Sequence, residues 1–263
     1  MTLHYFLLIV GLYSALGALS PLLAATVPAH MTLLQQCTPL PVQYTTAQFE
    51  MFEQCTKQDG PARLATYFAD IYQKTEGQVS LAYLDDTTLV LHDIIEDNPQ
   101  RFQRFELWGC NNTKRYCVIV KWGWEQWRYL LIDRKTKLAT ELIGHPVFSP
   151  DSELVFEYLD SRLADSFSHN ILKLYRLSDS TPKLLLDHQS AEYGVHSAQW
   201  LSPHSLQAII QGYAPDGDNR LITVGTLQLE VDGDEVNLSI NQSPAPEGSP
   251  QNFHSYNQLS ACL

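Results

Sequence analysis

The segment from Phe105 to Trp124 constrains the fold more than any other. It reads Phe-Glu-Leu-Trp-Gly-Cys-Asn-Asn-Thr-Lys-Arg-Tyr-Cys-Val-Ile-Val-Lys-Trp-Gly-Trp. Two β-rich runs flank Asn111-Asn112-Thr113-Lys114, and asparagine accepts the left-handed backbone a tight turn needs. Directly opposed antiparallel residues sit at a separation that a disulfide can bridge. A Cys110–Cys117 staple therefore predicts a hairpin with a fixed register: Trp108 opposite Ile119, and Glu106 opposite Lys121 as an opposite-charge pair. Further strands are expected at 127–133 and 138–143, which makes four antiparallel strands in succession.

That order recurs. Residues 104–143, 145–187 and 196–241 each read strand, turn, strand, loop, strand, turn, strand. The second unit holds the turn Ser149-Pro150-Asp151 and the third holds Ser202-Pro203-His204, 53 residues later. Asp232-Gly233-Asp234 joins the last two strands as a hairpin turn. A four-stranded sheet cannot bury both faces alone, whereas stacked sheets can. The expected fold is mainly β, with four-stranded antiparallel blade-like repeats. A β-sandwich with Greek-key links is the alternative.

Ahead of the repeats, Ala47–Lys57 and Ala62–Gln73 have apolar spacing that predicts two short helices, the second ended by Gly77. A hairpin over 79–92 turns at Asp85-Asp86-Thr87 and could contribute to a fourth sheet. The organisation expected is a leader over 1–25, a helical and hairpin segment over 26–103, the repeats over 104–241 and a tail over 242–263.

Residues 5–25 are almost wholly apolar, and the first Asp, Glu, Lys or Arg is Glu50. This predicts a secretory signal peptide cleaved after Ala25, or after Ala29. The absence of Lys and Arg ahead of the apolar run keeps an uncleaved membrane anchor open. Membrane association is expected only in that case. Export to a periplasmic or extracellular space agrees with the cysteines, Cys37, Cys55, Cys110, Cys117 and Cys262. Cys37–Cys55 is a plausible second pair, and Cys262 could replace either member.

The formal net charge is −12, with a sequence pI near 5.1. That balance argues against nucleic acid and anionic membranes, and it suits simple solubility or a basic protein partner.

Motifs for chemistry are absent: there is no Gly-x-Ser-x-Gly, no phosphate loop, no His-Glu-x-x-His and no paired Cys-x-x-Cys. No cofactor and no metal is expected. His188, His196 and His204 recur every eight residues but read as turn and surface histidines, and Asp216-Gly217-Asp218-Asn219 matches only the start of a calcium loop. The binding residues singled out are Trp124, Trp127, Asp160, Asp165, His169, Asp216 and Asp218, on or beside inter-strand loops. The recognition loops expected are 160–170, 189–196 and 214–219. The sequence thus points to a non-catalytic exported binding protein, an inhibitor or immunity-type protein being one concrete form. The alternative is a glycan-cleaving hydrolase or lyase using paired carboxylates among Glu153, Glu157, Asp160 and Asp165.

At Phe148-Ser149-Pro150-Asp151 the chain resembles the repeats of TolB-type β-propellers, in which a Ser-Pro-Asp turn joins the first two strands of a blade. The resemblance covers about half the chain. In the third unit His204 replaces the aspartate, and in the first the turn is Cys-Asn-Asn-Thr. It implies a propeller-like scaffold only, since such scaffolds host many functions.

Overall fold

The computed structural model describes residues 46–55, 60–96, 99–124, 127–159, 170–178, 180–213 and 221–242. Among these residues two short helices, α1 (Thr46–Gln54) and α2 (Gly60–Tyr67), precede fifteen strands. Sheet I contains β1 (Tyr72–Thr75), β2 (Gln78–Ala82) and β3 (Thr88–His92). Sheet II contains β4 (Arg104–Cys110), β5 (Tyr116–Trp122), β6 (Trp127–Asp133) and β7 (Ala139–Leu142). Sheet III contains β8 (His145–Phe148), β9 (Leu154–Leu159), β10 (Asn170–Arg176) and β11 (Lys183–Ser190). Sheet IV contains β12 (Gly194–Ser202), β13 (Ser205–Tyr213), β14 (Leu221–Asp232) and β15 (Glu235–Gln242). Each four-stranded sheet is a meander, as the repeat predicted.

Burial falls from the early strands of each meander to the last. All six residues of β9 are buried, whereas none of the eight in β15 is. A strand buried on both sides belongs to a sheet with neighbours on both faces, and an exposed last strand is an outer edge. This is a blade-like, propeller-like arrangement of sheets stacked in chain order. One core cluster joins α2 to sheets I, II and III, and a second joins sheets III and IV. On sheet IV, Gln199, Gln207, Gln228 and Ser239 form one cross-strand row opposite in sense to the buried Trp200, Leu206, Leu227 and Leu229. A row of amides and hydroxyls suits water, so it ends a stack instead of receiving another sheet.

The seams are fastened by polar groups that reach from one sheet to the next. The buried Arg134 guanidinium donates to the carbonyls of Ala82 in sheet I and Lys114 in sheet II. Arg115 holds Asp133 in a two-point contact, at 3.1 and 2.7 Å, and also donates to the Ser178 carbonyl of sheet III at 2.9 Å. The Trp200 indole donates to the Val147 carbonyl at 3.0 Å and ties sheet IV to sheet III.

The turn chemistry explains why units with different letters fold alike. In sheet III, Ser149 Oγ accepts the Leu154 N–H at 2.9 Å, the Ser149 N–H donates to the Leu154 carbonyl at 2.9 Å, and Ser152 adopts φ +66°. In sheet II, Asn111 Oδ1 accepts the Tyr116 N–H at 3.0 Å, the Asn111 N–H donates to the Tyr116 carbonyl at 2.8 Å, and Lys114 adopts φ +54°. Asn111 and Ser149 thus do one job with different atoms. Ser149 is fully buried. Ser149→Ala orphans the Leu154 N–H, and urea denaturation is expected to show a loss of about 1–1.5 kcal/mol.

The Cys110–Cys117 disulfide forms as predicted. Cys55 is also disulfide-bonded, and its partner lies outside the described residues, as do Cys37 and Cys262. The predicted register holds at Cys110–Cys117 and Gly109–Val118 and no further. A bulge at Trp108 shifts the rest, so Leu107 faces Ile119, Glu106 faces Val120 and Phe105 faces Lys121. Gly109, at φ +151°, supplies the backbone freedom that the extra residue needs. Glu106 meets Lys74 of sheet I at 3.0 Å, Arg104, and the Trp122 indole at 3.2 Å.

Two other expectations are corrected. The helix expected over 62–73 ends at Tyr67, because Tyr72 to Thr75 pairs with Gln78 to Leu81 as a hairpin. Gly77, at φ +73°, makes that hairpin's turn and not a helix end. The loop expected over 189–196 is mostly strand: β11 runs to Ser190 and β12 starts at Gly194. The leader and residues 243–263 of the expected tail lie outside the described residues, and Gln242, expected to open the tail, ends β15. Among the described residues no helix is long and apolar enough to cross a membrane.

Candidate functional site

Strand direction sorts the connections into two ends. At one end each meander turns from its first strand to its second and from its third to its fourth. These turns span two to six residues, from 233–234 to 177–182. At the other end the second strand passes to the third through 123–126, 160–169 and 214–220, that is four, ten and seven residues. The links from one sheet to the next, 143–144 and 191–193, lie at this same end.

Of the predicted binding residues, Trp124 and Trp127 lie at that long-loop end. Trp124 is described there and is 66% exposed. Trp127 opens β6, pairs with Trp122 across the strands, and is half-buried. Asp160, Asp165, His169, Asp216 and Asp218 fall in the stretches 160–169 and 214–220, outside the described residues. The strand ends that carry those two stretches are consecutive around the stack.

Behind Trp127 lies a cluster that the sequence did not announce. His145, the first residue of β8, is half-buried among rings. The centroids of Trp108, Trp127, Tyr129 and Tyr158 lie 5.7, 6.2, 5.5 and 5.5 Å from its own. Burial lowers the His145 pKa to about 4, so the imidazole is neutral at neutral pH. Burial raises the Tyr129 phenol well above its ordinary value, so it keeps its proton. The Tyr129 oxygen is 2.5 Å from His145 Nδ1. The direction of this bond follows the imidazole tautomer: the phenol donates to Nδ1 when the ring proton is on Nε2, and accepts from Nδ1–H when it is not. The indole N–H of Trp127 lies near the Tyr129 hydroxyl, outside hydrogen-bond geometry, and the buried Trp108 indole N–H also has no acceptor. The signal in the sequence was only Gly144-His145-Pro146; the rings come from two different sheets.

Glu157, next to Tyr158 on β9, is 1% exposed. One carboxylate oxygen accepts the N–H groups of Ile143 and Gly144 at 2.7 and 2.8 Å, and the other accepts the Tyr175 hydroxyl at 2.9 Å. Gly144 is required there, because a Cβ at that position would stand 2.4 Å from the Tyr158 carbonyl oxygen. Glu157 therefore fixes the link between sheets II and III. Glu153 is exposed in the Ser149 turn, at the opposite end of β9 from residue 160. The His188 imidazole contacts the Tyr193 hydroxyl at 2.8 Å, and His204 lies in the β12–β13 turn at the short-turn end. Among the described residues, no three His, Cys, Asp or Glu side chains are placed to hold one metal ion.

No family model matches the chain, and no curated protein matches it. Among solved structures it is similar to TolB from Acinetobacter baumannii, with 12% identity over 73% of this chain and a TM-score of 0.27. The chain spans 57% of that structure's length. At that level of likeness the blade description rests on the strand pairing alone.

Proposed function

We propose that this is an exported, non-catalytic binding protein that recognises another protein through the long-loop end of its propeller-like stack. The asymmetry between the two ends carries the reading. The short turns are consumed in their own hydrogen bonds, whereas the connections of ten and seven residues exceed what joining adjacent strands requires. Trp124 offers an exposed indole at that end, the kind of side chain that anchors protein interfaces. Asp160, Asp165, Asp216 and Asp218 would set acid on the neighbouring loops and favour a basic patch on the partner. The Cys110–Cys117 bond supports export, because such bonds persist in oxidising compartments. The glycan-cleaving alternative would need a carboxylate other than Glu157, whose two oxygens are already occupied.

A photo-crosslinking residue at position 124, and in a second protein at position 234, tests the proposal in intact cells. Capture of a discrete protein from 124 alone is the expected result. Equal capture from both ends, or none from 124, removes the reading.

A further inference from the structure

Among the described residues, Lys121 is the one lysine or arginine without a polar or ionic partner. That is unexpected in a chain with 29 carboxylate side chains against 17 cations. Lys121 is the penultimate residue of β5 and is half-buried. Directly across the strands lies Arg128, also half-buried. Opposed residues of an antiparallel pair project on one face, so the two cations stand side by side. Like charges so placed repel. Neither is neutralised closely: Arg128 donates to the Trp127 carbonyl at 2.8 Å, and its one carboxylate neighbour, Glu141, is 3.8 Å away. The loop that joins the two strands is the one that carries Trp124.

We infer that Lys121 and Arg128 form a receptor for a carboxylate on the protein partner, either an acidic side chain or a chain terminus. This rests on the proposed function and adds the partner's chemistry at sheet II. A guanidinium and an ammonium on adjacent strands present converging N–H donors, which a carboxylate can accept with both oxygens. Partial burial strengthens each contact relative to one in bulk water. The arrangement costs stability while empty and recovers it when an anion binds, as a recognition site does and a solvated surface pair does not. The partner surface thus carries acid opposite sheet II.

The probe is a tetraglutamate peptide, titrated at low salt and followed by the fluorescence of the tryptophans beside the site, with tetralysine as control. Saturable binding of tetraglutamate is expected, weakened at least tenfold in Lys121→Gln/Arg128→Gln and abolished by high salt. Lys121→Gln alone is expected to raise the melting temperature by about 1–3 °C, because it relieves the repulsion. Equal binding by wild type and double variant, or no binding at all, overturns the inference. So does a fall in melting temperature for Lys121→Gln. If crosslinking from position 124 still captures the partner with the double variant at undiminished yield, the carboxylate receptor fails and the proposed function stands. If position 124 captures nothing, the proposed function fails while the peptide titration is read on its own.

Discussion

Glu157→Ala is expected to destabilise the protein by about 3–5 kcal/mol, since each donor left unpaired costs about 1–3 kcal/mol and the relief of no longer burying a carboxylate offsets part of the sum. The substitution orphans three donors together: the Ile143 and Gly144 N–H groups and the Tyr175 hydroxyl. Water could reach the buried Gly144 N–H only by opening the link between sheets II and III, since Gly144 already lies against the β9 backbone. Tyr175 reports the same contact: burial and then the Glu157 charge raise its pKa above the ordinary phenol value. The measurement is urea denaturation followed by circular dichroism. Glu157→Gln is the control. It keeps one carbonyl oxygen for the backbone donors but turns an amide donor toward the tyrosine, so it should lose less than the alanine. Equal losses from alanine and glutamine would show that charge, not acceptor count, holds the link. A loss below about 1 kcal/mol from alanine would mean that solvent reaches the donors after all.

Much of the architecture was legible because strand periodicity and turn residues are local. The disulfide hairpin, the four-strand units and the hairpin at Asp85-Asp86-Thr87 follow from neighbours in sequence, and strand pairing bears them out. The expected Glu106–Lys121 pair does not form, because counting residues assumes an unbroken ladder. One extra residue at Trp108 displaced every partner below it, and the glycine that follows was the available sign. Another glycine-linked bulge sits at Gly225, where Ile210 pairs with Gly225 and Gln211 with Thr223. The equivalence of Asn111 and Ser149 was hidden because an amide oxygen and a hydroxyl do the same work under different letters. The longer connections between second and third strands could be read from the spacing of the strands. The His145 cluster and the Lys121–Arg128 pair could not, because each needs a cross-strand or cross-sheet register that only the folded chain defines. Trp108 and Tyr129 are buried on sheet II, and they pack around a histidine of sheet III.

That histidine makes the protein sensitive to mild acid. In the folded chain His145 has a pKa of about 4, with burial as its cause, against about 6.5 for an unfolded histidine. The folded state therefore binds fewer protons than the unfolded state between those two values. Stability from this group is fully present above about pH 6.5 and is lost as pH falls toward 4. From pH 7 to pH 5 the loss attributable to His145 is expected to reach up to about 2 kcal/mol, since each tenfold difference in proton affinity between the two states is worth about 1.4 kcal/mol. The rings around it, from Trp108 and Tyr129 on sheet II and Tyr158 on sheet III, carry no charge that could hold an imidazolium. Protonation would also fix Nδ1–H as a charged donor to the Tyr129 hydroxyl in a site without a carboxylate partner. Denaturant midpoints at pH 7 and pH 5 give the wild-type difference. His145→Gln, which keeps a polar side chain but cannot titrate, is expected to be less stable than wild type at pH 7 and to have a clearly smaller pH dependence. An unchanged pH dependence in that variant would assign the acid sensitivity to other groups and return His145 to plain packing. If the dependence shrinks as expected, the seam behind Trp127 is the part of the stack that loosens first in acid, directly beneath the loop end proposed to bind.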